Sequence, residues 1–369
     1  SAQPAARHPW PQPEARRVIR VAFVSVVPSP YQRDLFAALA ARPELAIRVF
    51  YMEKSAPDSP WPDQPPAPHE SRMPGFWFPL GHARVHVNWK LPRPADWDVI
   101  VCNTLMSITG QWLMRARLRR SRWIFWGEKL GARGPTHDFL TAPLRRATAI
   151  AAIGTWAEQD YTARFPGTRV FTIPYHCALQ PFLEAPRGAR EPGTTTFLFC
   201  GQMIARKGLD LLLSAFATLP ENARLLLVGR EAELPAMLAT VPRSVRDRIR
   251  YAGFQPPESL PRYFVEGDVF VLPSRHDGWG VVVNQALGAG LPVIVSDQVG
   301  AGYDLVSAGE NGFVFPNGDH AALASAMRRY AESASLCEAH GAASRQRAAG
   351  WTPARGAERW LAALKETVA

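Results

Sequence analysis

Short, continuously apolar runs recur along this chain, and helical patterns separate some of them. Val18–Val27 (VIRVAFVSVV) is the first, and others fall at 46–51, 97–101, 122–126, 149–153 and 169–173. Such runs are short for buried helices. Lacking polar alternation, they read as strands covered on both faces. A helical pattern at 31–42 (YQRDLFAALAAR) lies between the first two. Strands that alternate with helices point to a parallel α/β sheet, because a parallel neighbour needs a long crossover. The series then restarts. Glu184–Thr195 (EAPRGAREPGTT) reads as a linker. Beyond it, strands are expected at 196–200, 224–228, 249–252, 268–272, 292–295 and 312–315, and helices at 208–217, 281–289 and 319–334. Thr352 and Pro353 read as the N-cap and first-turn proline of a last helix running to about residue 367.

At about 150 residues per domain, 369 residues make two to three domains. The expected division is a frayed, Pro-rich segment 1–17, an α/β domain 18–183, the linker 184–195, and a second α/β domain 196–345. Residues 346–369 are expected to form a helix packing back towards the first domain. Residues 53–96 break the pattern: they are rich in Pro and Trp, poor in periodicity, and read as an elaborated binding loop.

Lys and Arg outnumber Asp and Glu by 42 to 32, an excess that favours anionic partners. No zinc-finger or RRM pattern supports nucleic acid as that partner. Cys102, Cys177, Cys200 and Cys337 form no CxxC pair, which excludes a zinc ribbon and fits buried thiols in a reducing compartment. The longest uncharged stretch, 278–296, holds Asn284, Gln285, Pro292 and four glycines, a poor membrane span. Ser1–Glu14 lacks the apolar core of a signal peptide. The expected location is cytoplasmic, peripheral at the inner membrane face.

Two strand–loop–helix units in the second half carry the chemistry. After the strand ending near Pro273 come Ser274, Arg275, His276, Asp277, Gly278, Trp279 and Gly280, and a helix opens at Val281. A glycine-bearing loop before a helix leaves backbone N–H groups facing outward, a site for phosphate or carboxylate. An acid at the loop mouth, Asp277, can bind sugar hydroxyls beside it; equally, it can serve as an ordinary capping residue. In the other unit, Gly201, Gln202 and a loop lead to Arg206 and Lys207 at the next helix N-terminus. Two cations there oppose the helix dipole unless an anion sits between them. A solvated pair is the plainer alternative.

These stretches resemble the donor-binding domain of glycosyltransferase family 4, retaining enzymes of the GT-B fold. The resemblance rests on Pro273-Ser274, Asp277-Gly278-Trp279-Gly280, Gln285-Ala286 and Gly290–Ile294, on Gly201 with Arg206–Leu212, on Leu225–Gly229 and Tyr251–Phe254, and on Gly300, Asp304–Val306, Asn311–Phe313 and Gly318-Asp319. It covers roughly 195–325. The first half agrees only in plan, with Pro28-Ser29-Pro30-Tyr31 at an acceptor-facing loop.

The resemblance implies two Rossmann-like domains facing across a cleft, and transfer of a sugar from a nucleotide-diphosphate donor, UDP- or GDP-linked, to a glycan or lipid-linked acceptor in cell-surface polysaccharide assembly. It implies no cofactor and no metal, and no Asp-x-Asp metal pair is expected in the chain. It gives Asp277, Lys207 and Arg206 the catalytic positions. It gives Gly201, Gln202, Gly229, Tyr251, Gly278, Trp279, Gly280, Val281 and Gln285 the donor, and Ser29, Tyr31 and Glu128 the acceptor side. Asp277 and Gln285 replace the two Glu residues of the family motif, and Gln202 replaces its phosphate Arg. These departures raise the alternative of a catalytically degenerate partner subunit that binds nucleotide or glycan. An epimerase on the same fold is a third reading.

Glu128, after a predicted strand, either orients a hydroxyl or forms a surface ion pair. His176 near the linker reads as structural, and His276 as loop packing. Residues 112–122 (WLMRARLRRSR) hold five arginines and read as an interfacial helix for anionic membrane, with Trp112, Leu113 and Met114 as its apolar reach.

Overall fold

A computed structural model describes residues 18–55, 64–80, 83–188 and 191–369, so the segment 1–17 lies outside the described residues. The first half holds β1 (Ile19–Ser25), β2 (Leu45–Tyr51), β3 (Glu70–Arg72), β4 (Gly75–Leu80), β5 (Ala83–Asn88), β6 (Val99–Cys102), β7 (Trp123–Gly127), β8 (Ala149–Ala152) and β9 (Arg169–Thr172). Seven of these form an all-parallel sheet in the order β3-β2-β1-β6-β7-β8-β9. The second half holds β10 (Thr195–Cys200), β11 (Ala223–Val228), β12 (Ile249–Tyr251), β13 (Val269–Leu272), β14 (Val293–Ser296) and β15 (Gly312–Phe315). Its parallel sheet runs β12-β11-β10-β13-β14-β15, the order of a dinucleotide-binding fold. The short apolar runs are covered on both faces, as β6, β13 and β14 show by being buried throughout.

Strand order reverses between β1 and β6 in one sheet and between β10 and β13 in the other. Successive connections leave in opposite directions there, so a crevice opens at the carboxyl ends of those strands. The two crevices face one another, and the architecture is GT-B.

Contacts between the halves are specific. Asp304, on the helix Gly300–Leu305, accepts from Thr155 N at 2.9 Å and Thr155 Oγ1 at 2.8 Å. Thr155 begins the helix Thr155–Arg164, whose own N-cap is Gly154, so the opposite half supplies the missing capping acceptor. Gly154 has φ 87°, and a Cβ there would lie 2.4 Å from the Trp279 ring. Trp156 stacks on Tyr303 with ring centroids 5.5 Å apart. Asp304→Ala is expected to destabilise the protein by about 1–2 kcal/mol, read as a lower urea midpoint. An unchanged midpoint would show that the cap contributes nothing.

The helix Pro353–Val368 lies on the first sheet. Thr352 accepts from Arg355 N, and fully buried Trp360 meets Phe23 at 5.3 Å and Trp126 at 5.4 Å.

Three expectations are corrected. Residues 53–96 are not simply a loop: β3 adds to the first sheet, and β4 and β5 pair antiparallel as a separate hairpin. The prolines hid the short strands. Residues 112–122 are not one continuous helix. The helix Ile108–Trp112 passes into one π-helical stretch, Leu113–Arg117, and Leu113 and Met114 point into the core, leaving only Trp112 of the three exposed. A separate helix, Ala334–Ala348, follows His320–Ala331 and was not anticipated, because its apolar residues form no clear stripe.

Candidate active site

A cleft of about 510 Å³ lies between the two crevices. On one wall stand the loops after β10 and β13. Gly208, at φ 73°, turns the first loop into the helix Leu209–Phe216, and a Cβ there would fall 1.9 Å from Pro273 O. Only glycine lets the two loops approach so closely. Their approach places Lys207 Nζ 2.5 Å from Asp277 Oδ2, both side chains largely buried. Arg206, exposed at the rim, donates from Nη1 to His276 O at 3.0 Å. Arg275 forms a bidentate pair with Asp210, 2.7 Å on each arm, and holds that carboxyl below its usual range.

Across the cleft stands Glu128, directly after β7. A Cβ on Gly278 would lie 1.8 Å from Glu128 Oε2, so this carboxylate overhangs the Asp277 loop. Glu128 is exposed to cleft water, while residues of both halves line the cleft around it and displace part of its hydration. That desolvation is the leading cause that pushes its pKa up to about 7; Asp277 adds to the rise, and Lys207 and Arg206 oppose it. Tyr31 is pushed up to about 12, first by burial and then by Glu128, so it stays a hydroxyl donor. Its ring meets Tyr175 at 4.9 Å.

The cleft wall therefore gathers Lys207, Asp277, Gly201, Gly280, Val281 and Gln285 from the second half, and Tyr31 and Glu128 from the first. Gln285 Oε1 is buried and accepts no hydrogen bond from the described residues. Other expected site residues stand apart. Gly229 packs behind Gly201, whose O would lie 1.9 Å from a Cβ at position 229, and Tyr251 donates its hydroxyl to Gly229 O at 2.9 Å. Gln202 is half-buried outside the cleft wall, and Ser29 is buried at the start of the helix Pro30–Ala40. Trp279 has one edge of the cleft but is 0% exposed, its Nε1 donating to Asn284 Oδ1 at 2.9 Å. Asn284 Nδ2 in turn donates to Tyr175 O at 3.2 Å, so Trp279 braces the two halves.

His176 is buried, stacks on Trp351 and has its pKa lowered to about 4, chiefly by burial. Asp34 and Tyr175 also line the cleft. Sequence reasoning missed both, and their only signal was position after a strand or within the first helix.

The chain does contain one Asp-x-Asp, Asp96-Trp97-Asp98. It precedes β6, at the end of the sheet away from the cleft, and Asp98 is engaged by Arg20 N at 2.9 Å and by its guanidinium at 3.1 Å. Among the described residues no cluster of three or more His, Cys, Asp or Glu could hold a metal ion.

The fold and the paired-loop cleft define a GT-B protein, and comparison with known proteins refines this. Residues 194–333 match the family model for glycosyl transferases group 1 and form a domain of that type. The chain is 26% identical over 210 residues to the alpha-D-kanosaminyltransferase of Streptomyces kanamyceticus, covering 53% of this chain and 54% of the relative. It is 36% identical over 106 residues to the O-antigen chain mannosyltransferase B of Escherichia coli, covering 27% and 28%. It is 31% identical over 185 residues to the phosphatidyl-myo-inositol mannosyltransferase of Mycobacterium leprae, covering 47% and 49%. The chain thus spans about half the length of these curated relatives or less.

Solved structures match over nearly the whole chain. Sucrose-phosphate synthase from Thermosynechococcus elongatus superposes with TM-score 0.75 at 22% identity, covering 94% of this chain and 98% of that one. Anabaena Alr3699/HepE in complex with UDP gives 0.70 at 15% identity, covering 94% and 100%.

Proposed function

We propose that this protein is a retaining glycosyltransferase. It takes a sugar from a UDP- or GDP-linked donor and passes it, without a metal, to a glycan or lipid-linked acceptor in cell-surface polysaccharide or glycoconjugate synthesis. The observation that carries the reading is the Lys207–Asp277 pair held under Glu128 in the cleft. The three transferases named above, and a structural neighbour holding UDP, support it.

The diphosphate enters beside Lys207 and the start of the helix Val281–Gly288, whose outward N–H groups favour an anion. Lys207 turns from Asp277 to the phosphate, and Asp277 is freed to accept from sugar hydroxyls. Gln285 Oε1, buried without a partner, accepts from a donor ribose hydroxyl. Tyr31 and Glu128 hold the acceptor. The bond from the anomeric carbon to the diphosphate oxygen breaks as the acceptor oxygen bonds to the same face. The acceptor's proton passes to the departing diphosphate, and the electron pair of the broken bond stays there, stabilised by Lys207 with Arg206 at the rim.

Calorimetric titration of UDP, GDP and ADP, each with and without magnesium and EDTA, tests the reading. One nucleotide is expected to bind more tightly than the others, with affinity unchanged by EDTA. Binding that needs magnesium would overturn metal independence. Binding without any turnover of the matching donor sugars would favour a catalytically degenerate subunit.

A further inference from the structure

Among the described residues, exposed apolar surface is concentrated in one region. Along β4, Phe76, Trp77, Phe78 and Leu80 are all exposed. A strand on a protein body hides alternate residues; here consecutive residues on both faces meet water, so β4 stands clear of the body. β5 tethers it. Val85, His86 and Asn88 are buried, Glu53 pairs with Arg84 at 3.0 Å and lies 3.2 Å from His86, and Asn88 N donates to Thr109 Oγ1 at 2.8 Å.

That last bond joins the hairpin to the helix Ile108–Trp112, where Met106, Ile108 and Trp112 are exposed. Gln111 Nε2 donates to Leu140 O at 2.9 Å and ties on the helix Pro135–Thr141, whose Phe139 is exposed. Arginines lie against these rings: Arg84 over Trp77, Arg117 over Trp112 and Arg115 over Phe139. Residues 84–146 hold 12 Lys and Arg against 4 Asp and Glu, which is +8 of the chain's +10. Arg117, Arg119, Arg120 and Arg122 are exposed beside the apolar patch.

We infer that this face docks on an anionic lipid bilayer, with the β4–β5 hairpin seated at the boundary between headgroups and acyl chains. A patch of this kind marks an interaction surface. Its charge selects the occupant. A second copy would set the exposed Arg117, Arg119, Arg120 and Arg122 against their own like charges, whereas an anionic bilayer offers apolar depth for Phe76, Trp77 and Phe78 and negative headgroups for the arginines. The docking does not depend on the transfer reaction. If that reaction is as proposed, the bilayer delivers a lipid-linked acceptor near the cleft, because the hairpin and the helix Ile108–Trp112 follow the carboxyl ends of β3 and β6, the edge on which the cleft lies.

The test is co-sedimentation of the whole chain with vesicles of phosphatidylcholine, pure or with about one-third phosphatidylglycerol. Binding is expected to the anionic vesicles only, and to weaken as salt rises. Phe76→Ser, Trp77→Ser and Phe78→Ser together are expected to lower partitioning at least about tenfold, with nucleotide binding unchanged. Arg117→Glu, Arg119→Glu and Arg120→Glu together are expected to lower it by a similar factor. Quenching of the unmodified protein's tryptophan emission by brominated lipid checks insertion without any variant. No binding to anionic vesicles, no quenching, or full binding by the hairpin variant would each overturn the inference. So would a dimer in lipid-free solution that the hairpin variant abolishes, since that identifies a second copy as the occupant.

Discussion

Replacing Lys207 with alanine is expected to lower turnover at least about 100-fold while leaving the protein folded. The reason is charge. The leaving diphosphate gains negative charge as the glycosidic bond breaks, and in a narrow cleft a fixed cation is worth far more than in water. Lys207 Nζ is the cation in the cleft wall, held 2.5 Å from Asp277 by the Gly208 turn. Arg206 does not replace it, because its guanidinium stands at the rim on His276 O. Folding tolerates the change. The side chains are only 18% and 13% exposed, so Asp277 left without its partner should cost about 1–3 kcal/mol, eased by its contact with cleft water. The measurements are initial rates with the donor identified by calorimetry, and a thermal midpoint. Unchanged turnover in a folded variant would remove Lys207 from the phosphate site. A lowered midpoint matching the lost activity would make the residue structural. Lys207→Arg separates charge from shape: partial recovery is expected, since the charge survives and the ammonium's compact geometry does not.

Much of this site was legible because its spacing is dictated by backbone. Asp277 and Lys207 each follow a strand and precede a helix, and parallel order brings β10 and β13 side by side. Gly208 and Gly280 mark the two turns, at φ 73° and φ 90°. Trp279 shows what such reading leaves out. Its place in the motif suggested a ligand contact, but it is an indole wedged against Gly154 from the other half, and sequence spacing does not report a neighbour more than a hundred residues away. The hairpin was missed for another reason. Strand reading relies on apolar residues being buried, and Phe76–Phe78 are exposed. The same inversion misled the reading of 112–122, where Leu113 and Met114 belong to the core.

Glu128→Gln is expected to lower turnover about 100-fold while strengthening nucleotide-diphosphate binding above pH 7 and flattening its pH dependence. In the free protein this carboxyl has its pKa pushed up to about 7, by desolvation first and Asp277 second. Below that pH it is neutral. Above it, a negative charge faces the incoming diphosphate, so affinity falls as pH rises. An anionic ligand raises the carboxyl further, so binding takes up a proton and log affinity falls by up to about one per pH unit near and above pH 7. Titrations of the variant subtract the nucleotide's own ionisation. Stability gives an independent sign. The reference carboxyl titrates at 4.5 and the folded one at about 7, so the folded chain holds this proton more tightly. The native protein therefore loses stability as pH rises from 4.5 to 7, with no further change from this group outside that window. The glutamine variant escapes the loss: its midpoint should exceed the native one above pH 7 and match it below 4.5. Cleft water screens the charge, which limits the size of the stability change without altering its sign. Parallel pH profiles for the two proteins would place Glu128 in an ordinary solvated ion pair. A flattened profile with full turnover would leave it tuning donor affinity alone, and the acceptor hydroxyl would then fall to Tyr31, which burial keeps protonated throughout this range.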